Sequence, residues 1–164
     1  MAQINSDPDV TRYLNPATGP APTRAFYAGA VGHWQEHGFG LWAVESLAPG
    51  DVGAFLGFVG LAHSAFLPAV AARVEIGWRL ARRAWGRGLA TEGAVATRNH
   101  AFDVVGLGEL ISIIHPDNER SRRVATKLGM TVEQRILHAG LGCDVEVWRL
   151  TAIRGSSATP SAPA

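Results

Sequence analysis

Two glycines stand one residue apart in Arg83-Ala84-Trp85-Gly86-Arg87-Gly88-Leu89-Ala90, where a strand pattern gives way to a long helical one. Glycine has no Cβ, so at Gly86 and Gly88 the backbone can turn through positive φ and approach a ligand closely. The first N–H groups of a helix starting at Leu89 have no intrahelical acceptor, and the helix dipole favours an anion there. Arg83 and Arg87 add guanidiniums able to make charge-assisted hydrogen bonds. In physical terms this is a cradle for a diphosphate, with a Gly-rich turn flanked by solvated arginines as the plainer alternative. It is not a dinucleotide fingerprint, because Thr91 stands where the third glycine belongs. Nor is it a Walker loop, because Leu89-Ala90 stand in place of Lys-Ser/Thr. A second chemical pattern is His33-Trp34-Gln35-Glu36-His37. It reads His-x-x-Glu-His, the inverted zinc-protease signature, and puts two imidazoles four residues apart on one helix face. The sequence identifies no third ligand for it.

Periodicity and turn chemistry indicate the elements that must position these residues. Asp7–Leu14 reads as a short helix, with Asp7 as cap and Pro8 in the first helical position. Asn15–Pro22 is a Pro/Gly loop. Thr23 is a candidate cap for a helix carrying Phe26, Ala30, Val31 and Trp34, which Gly38 ends. Phe39–Glu45 and Phe55–His63 read as strands around Pro49-Gly50-Asp51, and Ala72–Leu80 as a third. A long helix is expected from about Leu89 to Val105, stopped by Gly106. Glu109–Ile114 is almost fully apolar, as a buried central strand should be. Asn118 caps a helix to Leu128, which Gly129 ends. Thr131–His138 and Asp144–Leu150 are closing strands. Strands mixed with helices imply a three-layer α/β sandwich. Residues 1–153 form one domain on this reading, and Arg154–Ala164 a disordered Ser/Ala/Pro-rich tail.

Composition narrows the function classes. The 164 residues are 47% apolar and 18% charged, which suits a globular domain. A net charge of +1 supplies no field to recruit nucleic acid. No apolar run is long enough to span a bilayer, and no secretory leader opens the sequence. The single cysteine, Cys143, excludes an internal disulfide and fits a reducing compartment, so a cytoplasmic location is expected. Arg120, Arg122 and Arg123 make a basic patch on one helix, placed to meet an anionic cofactor or simply solvated.

Arg83-x-x-Gly86-x-Gly88 resembles the Gln/Arg-x-x-Gly-x-Gly/Ala loop of the GNAT superfamily of acyltransferases, which binds the CoA pyrophosphate through backbone N–H groups. The likeness extends to both sides. Val74-Glu75-Ile76-Gly77-Trp78-Arg79-Leu80 resembles the preceding strand, whose backbone carries the pantetheine arm. Asn118-Glu119-Arg120-Ser121 and Lys127-Leu128-Gly129-Met130 resemble the later Asn-x-x-Ser helix and its end. Asp7-Pro8-Asp9-Val10, Gly38-Phe39-Gly40 and Val145–Leu150 are similar to the branch holding the Rim-type (RimJ/RimL-like) ribosomal-protein N-terminal acetyltransferases. Roughly residues 3–151 are covered. The resemblance implies an α/β GNAT fold, a three-layer α/β/α sandwich around a mixed, mostly antiparallel sheet. Members of this branch begin with a strand and most of a helix before the Asn-x-Asp-Pro segment. Only a few residues precede Asn5 here, so the usual first strand is expected to be missing.

The implied activity is transfer of an acetyl group from acetyl-CoA to a primary amine, by direct attack in a ternary complex. The implied cofactor contacts are Ile76, Gly77, Trp78, Arg79 and Leu80 on the strand, Arg83, Gly86, Arg87, Gly88, Leu89 and Ala90 in the loop, and Asn118 on the arm. An amine attacks only when neutral, so a base must take a proton. Glu75, one residue before the segment where the thioester should lie, is the expected base. A solvated glutamate, or one paired to Arg73, is the alternative. The branch places a serine near the thiol, and Ser121 matches it. The tyrosine acid of many members has no counterpart after Tyr27; His115, at the end of the central strand, is next in line as base, with a structural histidine before Pro116 as the alternative. Trp78 and Trp85 are expected to wall the cofactor site and Trp42 to be core. No metal is expected. Partners are an amine acceptor, either a small molecule or a protein N-terminus, with no nucleic acid and no membrane; a homodimer stays open. Two rival readings are a CoA-binding module without catalysis and a zinc hydrolase built on His33, Glu36 and His37.

Overall fold

Local chemistry sets most element ends. The Asp7 carboxylate accepts the Asp9 N–H at 2.9 Å, which starts the short helix α2 (Pro8–Thr11) after a single turn, α1 (Ala2–Asn5). Helix α3 (Pro20–His37) begins earlier than the Thr23 cap predicts. Pro20 and Pro22 suit a first turn that needs no N–H, and Thr23 Oγ1 instead donates to the Gly19 carbonyl at 2.8 Å. Gly38 ends α3 in the left-handed conformation, as expected. Asn118 Oδ1 accepts the Ser121 N–H at 3.2 Å and starts α5 (Glu119–Lys127). Helix α4 spans Leu89–Asn99 and then widens into one π-helical turn, His100–Val104. The computed structural model describes residues 1–14, 19–64 and 67–152. The expected tail, and the first half of the expected Asn15–Pro22 loop, lie outside them.

Among the described residues six strands form one sheet: β1 (Leu41–Glu45), β2 (Phe55–His63), β3 (Val74–Leu80), β4 (Glu109–Ile114), β5 (Thr131–His138) and β6 (Cys143–Thr151), in the order β1-β2-β3-β4-β6-β5. Only β3 and β4 pair in parallel; every other neighbour is antiparallel. This is the mixed, mostly antiparallel sheet that was expected, with β1 at one edge. Successive side chains alternate between faces. Val59, Leu61 and Ile76 point to the face covered by α4 and α5, where Ala94, Ala125 and Leu128 complete the main core. A Cβ on Gly93 would stand 2.7 Å from Val59 Cγ1, so only glycine lets α4 sit this close to β2. On the other face the Phe26 ring of α3 lies 5.4 Å from that of Phe58.

Candidate active site

The site begins with the β3–β4 junction. Strands β2 and β3 pair from Gly57↔Leu80 to His63↔Val74, but β3 and β4 share a single register pair, Glu75↔Ile111. No further pair joins them toward Leu80 and Ile114, which leaves the β4-side edge of Gly77–Leu80 without a ladder partner. Backbone donors and acceptors on such an edge suit a third extended chain carrying amides.

Downstream, the chain turns through Arg82–Ala84 into the glycine loop. Gly86 and Gly88 have φ of 73° and 81°, and Gly88 is the N-cap of α4. With no side chain on Gly88, the first N–H groups of α4 have no capping acceptor from it. Nothing lies within 4 Å of a Cβ built on either glycine, so the space above the loop is open. These features fit a diphosphate. Trp85 donates its indole N–H to the Leu80 carbonyl at 2.9 Å, and the Arg120 guanidinium lies 4.4 Å from its ring centroid. That contact brings the first turn of α5 to the loop. Arg83 points elsewhere, donating to the Phe55 carbonyl at 3.3 Å. Arg122 is taken up by Glu119 and Glu146, so the basic patch is partly internal.

Glu75 lies in the junction itself. Ser64 Oγ donates to its carboxylate at 2.7 Å, and the Ile113 N–H donates to it as well. Burial pushes the Glu75 carboxyl above its ordinary range, while both hydrogen bonds and the Arg79 charge pull the other way. The residue as a whole is half-buried, while its carboxylate is the desolvated part. The alternative pairing with Arg73 does not occur, because Arg73 binds Glu109 at 2.8 Å and Glu133 at 2.6 Å. Arg79 donates to Asn5 Oδ1 at 2.9 Å, and its own ionisation is pulled down by burial. Ser64 and Asn5 were missed from the sequence. Neither has a local signal, since each meets β3 only through the tertiary fold.

Trp78 and Glu75 are three apart and therefore face opposite sides of the sheet. Trp78 donates its indole N–H to Ser121 Oγ at 3.3 Å. An indole is donor only, so the hydroxyl accepts here and its own proton stays available. Asn118 and Ser121 thus stand on one side of the unpaired edge and Glu75 on the other. His115 accepts the Asp117 N–H at 3.1 Å and stacks on Tyr13 at 4.9 Å. Trp42 packs edge-on against His100.

Residues 1–131 match the family model described as the acetyltransferase (GNAT) domain. The chain belongs to this family of acetyl-CoA-dependent N-acetyltransferases. The acetyltransferase is 32% identical to the uncharacterized protein YkkB of Bacillus subtilis over 131 residues, 80% of this chain and 73% of that protein. It also matches the crystal structure of an acetyltransferase from Agrobacterium tumefaciens with a TM-score of 0.74 at 26% identity, covering 92% of this chain and 82% of the other. A shorter match, 36% over 53 residues, is to the spermidine N(1)-acetyltransferase of Escherichia coli, covering 32% of this chain and 28% of that enzyme.

Proposed function

We propose that this acetyltransferase moves the acetyl group to a small-molecule primary amine by direct attack in a ternary complex, with Glu75 as general base. The observation that carries the reading is the Glu75 carboxylate, desolvated and oriented by Ser64 and the Ile113 N–H at the point where β3 and β4 part. The pyrophosphate sits against Gly86–Ala90, flanked by Arg87, and the pantetheine arm along Ile76–Leu80 with Asn118 across from it. The amine nitrogen attacks the thioester carbon while its surplus proton leaves for Glu75, directly or through water. The C–S bond then breaks, and the departing thiolate takes a proton passed through the Ser121 hydroxyl, which regains one from water.

The short match to a spermidine acetyltransferase supports a small amine as acceptor. A cytoplasmic location belongs to the same proposal; no helix among the described residues is long and apolar enough to cross a membrane. The test has two stages. Acetyl-CoA should raise the melting temperature, since a ligand bound only by the folded state stabilises it by about 2.7 kcal/mol at a hundredfold excess over Kd. An acceptor panel with thiol detection should then include polyamines, amino acids and peptides with free N-termini. No melting shift at millimolar acetyl-CoA would sink the cofactor assignment. Turnover of peptides but not small amines would instead place the enzyme in the Rim-type branch.

A further inference from the structure

The His-x-x-Glu-His pattern on α3 acquires a third imidazole in the fold. His33 and His37 stand four residues apart in the last turns of α3, and His63 is the last residue of β2. One ligand atom from each lies within 4.8 Å of the other two, and all three side chains are half-buried, so an ion can reach them. The ring centroids are 4.4 Å apart for His33 and His37, 4.5 Å for His37 and His63, and 5.4 Å for His33 and His63. We propose that His33, His37 and His63 form a binding site for Zn²⁺ or another late first-row divalent cation, which clamps the end of α3 to the end of β2.

Tautomer and spacing carry the argument. His33 Nδ1 lies 2.8 Å from the Phe39 carbonyl, which only accepts, so the ring proton is on Nδ1 and the Nε2 lone pair faces the cluster. Metal-binding histidines are oriented in this way, by donating the other ring N–H to a backbone carbonyl or carboxylate. His33 Nε2 and His63 Nδ1 are 3.3 Å apart. Two nitrogens about 2.0–2.1 Å from one tetrahedral ion stand about 3.3–3.4 Å apart, so this pair already has the spacing of a tetrahedral edge. His37 needs only a side-chain adjustment to close the third position. Without metal, His33 Nε2 accepts the His63 backbone N–H at 3.2 Å, a long bond that the ion displaces. A set of three imidazoles selects Zn²⁺, Cu²⁺, Ni²⁺ or Co²⁺ over the oxygen-seeking Ca²⁺ and Mg²⁺. The fourth ligand is water or Glu36, whose carboxylate is 75% exposed and 3.8 Å from His37 Nε2.

The location gives the site a consequence. His63 immediately precedes Ser64, the partner of Glu75, so an ion at the cluster restrains the backbone that delivers the Ser64 hydroxyl. The proposal itself rests on the three histidines and not on the acetyl-transfer reading.

Tag-free protein stripped with chelator should bind one Zn²⁺ by calorimetry, with a rise in melting temperature. Co²⁺ should give the visible absorption of a four-coordinate site. His37→Gln and His63→Asn should each weaken Zn²⁺ by at least about tenfold, since loss of even an outer-shell partner costs that much. In imidazole-resolved NMR of the wild type, His33, His37 and His63 should shift with stoichiometric Zn²⁺ while His100 and His115 stay in place. This reading keeps the test decisive even where a variant fails to fold. Absence of stoichiometric Zn²⁺ binding, or binding that the variants share with the wild type, overturns the site. Zn²⁺ shifts confined to other histidines do the same. None of these outcomes touches the acetyl-CoA thermal shift, which tests the acetyltransferase separately.

Discussion

Replacing Glu75 by glutamine separates chemistry from binding. The amide keeps the size and shape of the carboxylate; its carbonyl can still accept the Ile113 N–H, and its NH₂ can donate to Ser64 Oγ. Only the basic oxygen is lost. General acid–base groups contribute on the order of 10²–10⁴-fold, so kcat should fall by that factor, about 2.7–5.5 kcal/mol of barrier. The acetyl-CoA Kd should move less than about threefold, roughly 0.6 kcal/mol, because Glu75 points away from Trp78 and Ser121 and precedes the glycine loop. The pH dependence has a defined sign. Burial raises the Glu75 pKa above its ordinary 4.5, so the base becomes competent only above that raised value. Wild-type turnover should climb as pH rises through it, and the deficit of the variant should narrow at high pH, where the amine arrives already deprotonated. Stability moves oppositely. A raised folded pKa means the fold favours the protonated form, with a stabilisation complete below the unfolded value and lost as pH rises through the folded one. At pH 7, above the unfolded value, the wild type has lost part of that stabilisation, and the glutamine variant, which does not titrate, has not. Glu75→Gln should melt higher at pH 7, and the difference should vanish near pH 4. A pH–rate profile and melting curves for both proteins read this out. A variant that turns over like the wild type across pH 6–9 refutes Glu75 as base, and one that melts no higher at pH 7 refutes the desolvation argument.

Gly88→Val meets no steric obstacle in the free protein, but a β-branched residue at a φ of 81° is strained and its side chain enters the space above the loop. Acetyl-CoA binding by calorimetry should weaken at least about tenfold, or roughly 1.4 kcal/mol, and an unchanged Kd in a folded variant would put the pyrophosphate elsewhere. Glu146 is 1% exposed and accepts from Arg122 at 3.2 Å, Arg135 at 3.0 Å and Trp148 Nε1 at 3.1 Å. Glu146→Ala leaves the buried Trp148 indole N–H without its acceptor, while Arg122 keeps Glu119 and Arg135 is solvated, and should cost about 1–3 kcal/mol in a denaturant melt, the usual penalty for a buried donor left unsatisfied; no measurable loss would mean that water replaces the carboxylate.

Where the deciding chemistry is local, the sequence alone was enough. The loop at Gly86 and Gly88 was legible because positive φ, an uncapped helix start and the strand before it are all written within one short segment. The Asn118 cap and the Gly38 helix end were legible for the same reason, as were the bounds of Phe55–His63, Glu109–Ile114 and Thr131–His138. The start of α3 was misplaced because Thr23 bonds back to Gly19 from inside the helix, and the π-turn at His100–Val104 left no signal at all. The site needed tertiary structure. Ser64 meets Glu75 across the β2–β3 register, Trp78 meets Ser121 across 43 residues of chain, and His63 joins His33 across 30. The unpaired edge of β3 exists only because β4 joins it at one residue and leaves. Propensity and capping act within a few residues, whereas strand register and packing depend on which distant segments share a face. The composition of either segment alone does not encode that choice.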